Sequence, residues 1–138
     1  MRCDFTGSQD TDNGKIVIDG YIDILSKTDE IHTDVRGILN VHDSKNRSHE
    51  FTGNFTQLLL GYFPKLALYT DNGLGEKFYY EFDDAEVHGR TMKYNGFYCP
   101  LIKENIARLA SLLKPEHPKD VSIELILENE DSIQFLKK

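Results

Sequence analysis

Between Lys15 and Leu25 the even positions read Ile16, Ile18, Gly20, Ile22 and Ile24. Successive side chains of an extended chain point to opposite faces, so this run predicts a half-buried strand with Lys15, Val17, Asp19, Tyr21 and Asp23 on its other face. The alternation recurs. From Ile31 to Val41 the odd positions are Ile31, Thr33, Val35, Gly37, Leu39 and Val41, and Phe51, Gly53 and Phe55 form a return strand. Opposing Val41 with Phe51 and Leu39 with Gly53 keeps both apolar sets on one side. That register implies a three-residue loop centred on Asn46. Lys65 to Thr70 is strand-like, Asp71 to Gly75 is a turn, and Phe78, Tyr80 and Phe82 alternate on the way back. Ala85 to Tyr94 predicts a further strand, with Asn95-Gly96 as a tight hairpin turn. Val121, Ile123, Leu125 and Leu127 form another strand, and a turn at Asn129 leads to Ile133 and Phe135. At the start, Arg2 to Thr6 reads as a short strand and Gly7 to Gly14 as a turn or loop. Thr56 to Phe63 fits a strand or a short helix.

One segment has helical period. From Pro100 to Lys114, Ile102, Ile106, Leu109 and Leu113 fall on one face, proline suits the first helical position, and Pro115 stops the run. The expected fold is therefore α+β and β-rich. It is a single antiparallel meander sheet, a curved sheet or partial barrel, with one amphipathic helix packed on it near the C-terminus. Residues 1–138 form one domain.

Charge adds a constraint. Asp and Glu outnumber Lys and Arg by 23 to 16, a net charge of -7. Direct binding to a nucleic-acid backbone is disfavoured, whereas a basic protein would be attracted. Cys3 and Cys99 have no metal-ligand spacing, and no secretory leader or membrane-spanning apolar run is visible, so free thiols and a cytoplasmic location are expected.

No motif brings chemistry with it. Phosphate-binding glycine loops, a nucleophile elbow and a zinc-protease helix are missing from the sequence. Asp10-Thr11-Asp12-Asn13-Gly14 imitates the start of a calcium loop, but its glycine comes one residue early and Tyr21 stands where the closing Glu belongs. His32, Asp34, Arg36, Asn40 and His42 share one strand face, with His49 and Glu50 across the hairpin. His32 and His42 are separated by ten residues. That is about 30 Å, too far to share a metal. Asp84, Glu86 and His88 project from one strand face about 7 Å apart per step, so a metal site there needs help from a neighbouring strand, and an edge strand kept soluble by charge is the preferred reading. Cys99 precedes the expected helix but reads as a buried structural thiol. Tyr79, Tyr80, Tyr94, Phe97 and Tyr98 are core formers that could also line a pocket.

With no cofactor, metal or catalytic residue expected, the leading expectation is a non-catalytic acidic protein-binding module. An inhibitor or immunity protein, antitoxin-like, that neutralises a basic nuclease toxin is its most concrete form. The expected contact residues are Asp19, Tyr21, Asp23, Asp83, Asp84 and Glu86, provided the sheet joins their two clusters. The alternative is a small-ligand-binding barrel with an aromatic-lined cavity. A late helix before a last strand is similar to lipocalin-like barrels, but their Gly-x-Trp signature is impossible in a chain without Trp. A third possibility is an enzyme using the His and carboxylate strand faces, which requires two of His32, His42, His49 and His88 to meet in a cleft.

Overall fold

The computed structural model describes residues 1–27, 29–57, 64–71, 77–100 and 118–129. These contain eight antiparallel strands: β1 (Arg2–Thr11), β2 (Gly14–Lys27), β3 (His32–His42), β4 (Arg47–Thr56), β5 (Lys65–Asp71), β6 (Lys77–His88), β7 (Thr91–Pro100) and β8 (Lys119–Ile126). Each strand pairs with the next. β8 returns to β1, with Asp4 opposite Ile126 and Gln9 opposite Val121, and the sheet closes into a barrel. Closure gives each described strand a neighbour on both sides, although among the described residues 47–50 of β4 and 84–88 of β6 are paired along one side only. Among the described residues no helix is long and apolar enough to cross a membrane.

The expected α+β class is thus corrected to an all-β closed barrel among the described residues. The closing pair joins the two ends of the chain, and face alternation says nothing about which distant strands meet. Pro100, expected to open a helix, ends β7 opposite Phe78. Residues 101–117, which hold the rest of that expected helix, lie outside the described residues. So do 58–63, where strand and helix were both open, and the segment after Asn129.

Three further differences have local causes. Gly7 to Thr11 continues β1 instead of forming a loop, and the turn is confined to Asp12-Asn13 between Thr11 and Gly14. Phe78-Tyr80-Phe82 and Ala85 onward are not two strands. β6 runs through both, and its register shifts between Phe82 and Asp84. A bulge there switches the inward positions from even to odd, which mimics a strand break in the sequence. Asn95-Gly96 lies inside β7, and the actual turn is Gly89-Arg90, with Gly89 at φ 62°. Gly96 serves close approach, because a Cβ there would stand 1.8 Å from the Glu81 carbonyl oxygen. In the β3–β4 hairpin the faces are as expected, but Phe51 opposes Gly37 and Gly53 opposes Val35. An even-numbered slip preserves the faces, so face matching does not distinguish these registers.

Eight strands enclose a space that side chains just fill or that holds one small ligand. Here one half is filled. At the end where β2 turns into β3 and β6 into β7, Ile24, Val35, Phe55, Leu66, Met92 and Leu125 are buried together. Tyr94 is fully buried there, and its hydroxyl donates to the Pro64 carbonyl at 2.9 Å. The Leu127 N–H closes the same end on the Arg90 carbonyl at 2.8 Å. The opposite end, where β1 turns into β2 and β3 into β4, differs in chemistry.

Candidate binding site at the barrel mouth

Among the described residues the buried polar side chains are Gln9, His49 and Thr70, each 7–8 % exposed. They come from β1, β4 and β5 and continue the inward rows of Phe5, of Phe51 and Phe55, and of Leu66 and Leu68. All three line one cavity of about 560 Å³ at the β1–β2 and β3–β4 hairpin end. Ile16, Val41 and Phe78 supply apolar walls, and Tyr80 and Tyr98 line it from β6 and β7. Their rings stack at 5.1 Å between centroids and 15° between planes.

Buried polar groups are costly unless hydrogen-bonded, and most of these are. The Tyr80 hydroxyl donates to Gln9 Oε1 at 2.9 Å, and the Thr70 hydroxyl donates to the Glu50 carbonyl at 2.9 Å. The Tyr98 hydroxyl donates to the Asp10 carbonyl. Burial pushes both tyrosine phenols upward, so they stay protonated. Two groups are exceptions. Arg47 Nε is buried without a hydrogen-bond partner among the described residues, although Arg47 Nη2 holds Asp43 Oδ2 at 2.6 Å. The His49 ring makes no hydrogen bond among the described residues. Burial, then the nearby Arg47 charge, lowers the His49 pKa, while Asp43 and Asp71 oppose the shift.

That shift has a measurable consequence. The unfolded chain protonates His49 near 6.5, and the folded protein does so only at lower pH. Stability is therefore complete above that value and declines as pH falls through it toward the folded pKa. Asp19, Asp23, Asp29 and Asp43 are held below their ordinary 3.8, so their contribution is lost only in more acidic solution. Thermal melts should show a first loss of stability as pH falls below 6.5 that His49→Gln removes. A first loss unchanged in the variant would assign it to another group.

The expected contact residues do not form one surface. Asp19, Tyr21 and Asp23 lie on the outer face of β2, and Asp83, Asp84 and Glu86 on β6. Three strands separate β2 from β6 in either direction around the barrel. The β2 acids are engaged. Asp19 accepts from Asn40 at 2.9 Å and meets His42 Nε2 at 2.8 Å. Asp23 pairs with Arg2 at 2.7 Å, and the Arg2 guanidinium lies 3.8 Å from the Tyr21 ring centroid. These hydrogen bonds are the main causes of the low Asp19 and Asp23 pKa values. Tyr21 and Asp23 also line a second groove, of about 830 Å³, with Arg36, Glu50, Tyr69 and Lys77, and it shares Thr70 and Phe78 with the mouth. That groove alternates positive and negative side chains and is not an acidic patch. On β6, Glu86 lies opposite Lys93, which lies opposite Glu124 on β8.

The histidines stay apart. His32 pairs with Asp29 at 2.9 Å, His42 with Asp19, and His88 is 3.7 Å from Glu86. Of the four, only His49 turns inward. Among the described residues no three His, Cys, Asp or Glu side chains gather as metal ligands would. Cys99 is buried on β7 and burial pushes its thiol upward; burial also raises the Cys3 thiol, to about 11. Of the aromatic set, Tyr80 and Tyr98 reach the mouth, Tyr94 fills the closed end, and Tyr79 and Phe97 pack outside at 6.3 Å.

The sequence pattern alone does not group Gln9, His49 and Thr70. His49 shares its parity with Phe51 and Thr70 with Leu68, so their inward direction was legible. Their convergence needs the barrel. No protein-family model matches the chain, no curated protein matches it in sequence, and no solved structure matches it.

Proposed function

We propose that the protein binds a small organic ligand in the mouth of its barrel. The observation that carries this reading is the gathering of the buried polar side chains of the described residues, Gln9, His49 and Thr70, at one end of the barrel. A barrel selected for stability alone would have apolar residues at those positions, because each polar one must be hydrogen-bonded to be tolerated. A cavity of about 560 Å³ is within the usual range for small-molecule sites, and apolar walls with a few convergent polar groups are their usual lining.

Strand alternation provides the test. Ile16 lines the mouth, whereas its neighbour Val17 points outward and is 54 % exposed. The uncharged, environment-sensitive dye prodan should bind the wild-type protein with a blue shift. Ile16→Trp should abolish binding by filling the mouth, and Val17→Trp should leave it intact. Equal binding by all three proteins would put the dye elsewhere and contradict the reading.

The docking reading keeps one specific support. Asp83 and Asp84, at the β6 bulge, are exposed and in no ion pair among the described residues. Adjacent and exposed, they suit contact with a basic protein, a nuclease toxin being the concrete case. Association with such a partner would be fast and salt-sensitive, and Asp83→Lys with Asp84→Lys should slow it roughly ten-fold or more without altering the melt. Rates indifferent to both changes would remove this surface.

A further inference from the structure

Two groups at the mouth have hydrogen-bonding capacity that the described protein does not use. Arg47 Nε is a buried donor without a partner. His49, two residues along the same strand face, is a neutral imidazole with one N–H and one lone pair. The two Cα atoms of such a pair are about 7 Å apart. Unused buried donors are costly, and a ligand that satisfies them is favoured over one that does not.

The charges around them argue against an ionic ligand. Among the described lining residues the charges balance: Arg47 is matched by Asp43 at 2.6 Å, and Lys119 by Asp12 at 3.5 Å. A carboxylate would approach two acids in a protein of net charge -7. An ammonium group would approach two cations and leave the Arg47 N–H without an acceptor. A neutral group with an acceptor and a donor side by side has neither problem. The tyrosine hydroxyl protons are already committed to protein acceptors, so Tyr80 and Tyr98 contribute mainly ring surface next to Phe78, whose ring lies 6.3 Å from that of Tyr98.

Resting on the mouth as the ligand site, we propose that its ligand is an uncharged planar aromatic molecule bearing an amide or ring lactam. The carbonyl accepts from Arg47 Nε–H, the amide N–H donates to the bare nitrogen of His49, and the ring lies against Phe78 and Tyr98. No bond is made or broken.

The test uses three probes of one shape: naphthamide, naphthoate and naphthylmethylamine, each titrated calorimetrically into the whole protein at pH 7.5. Naphthamide should bind about ten-fold or more tightly than either charged analogue, the value of one hydrogen bond from a charged donor. Arg47→Lys retains the charge opposite Asp43 and deletes the Nε–H, and should abolish that preference while prodan still binds. Tighter binding of naphthoate or naphthylmethylamine to the wild-type protein overturns the proposal, whatever the variant does. If none of the three binds but prodan does and Ile16→Trp blocks it, the ligand class is wrong and the mouth remains the site. If prodan also fails to bind at the mouth, both readings fall.

Discussion

Gly20→Ala should come close to unfolding the barrel. Gly20 faces inward on β2, with φ +148°, and a Cβ there would stand 1.9 Å from the Ile38 carbonyl oxygen and 3.1 Å from the Phe5 ring. The backbone conformation is almost exclusive to glycine and costs an L-residue roughly 1–3 kcal/mol. The near contact is with backbone, so relief requires moving β3 and breaking ladder bonds around Leu39. The combined loss should be about 4 kcal/mol, a large share of the ~5–15 kcal/mol that holds a domain together. The melting temperature should fall by roughly 10–20 °C. Gly14→Ala is the control. Its φ is also positive, at +115°, but nothing lies within 4 Å of the added carbon. It should cost only the backbone share, roughly 1–3 kcal/mol. Equal effects at the two positions would mean that close strand approach does not shape the barrel.

Truncating Phe82 should have a similar effect by another route. Phe82 is 1 % exposed, meets Tyr94 edge-on at 6.3 Å and 70°, and lies nearly parallel to Tyr80 at 6.4 Å. It stands between the filled end and the polar mouth. Phe82→Ala removes apolar contact on both sides and leaves a void that the closed sheet cannot collapse into, which costs about 3–5 kcal/mol. Phe82→Leu should cost about 1.5 kcal/mol or less, because most of the volume remains. Urea titrations should show the midpoints moving in that order with an unchanged slope. If Phe82→Ala cost less than about 1 kcal/mol, the centre of the barrel would be loosely packed and the division between filled and open halves would be wrong.

The strand faces were legible in the sequence because a half-buried strand imposes period two. That held for Ile18, Ile22 and Ile24, for Val35, Leu39 and Val41, and for Phe51 and Phe55, all of which are buried. The alternation failed in two informative places. The bulge at Asp83 reverses parity within one strand, and a reader of periodicity takes it for a break. The stretch Gly7 to Thr11 looks like a loop because its inward residues are Gly7 and Gln9. Gly7 sits where a Cβ would come within 2.0 Å of the Ser122 carbonyl oxygen, and Gln9 is part of the polar mouth. Local pattern and tertiary role disagree most where a polar side chain is used inside the barrel. The acidic clusters show the converse. Acids on β2 and β6 read alike in the sequence, but only closure decides that they face away from one another and that Arg2, Asn40 and His42 already occupy the β2 set.

The most direct test of the account is an NMR titration of isotope-labelled protein with prodan. The mouth reading predicts that shift changes concentrate at Gln9, His49, Tyr80 and Tyr98, which line the mouth and not the other groove, and are lost in Ile16→Trp. Changes centred instead on Tyr21, Arg36 and Tyr69 would place binding in that second groove and contradict it.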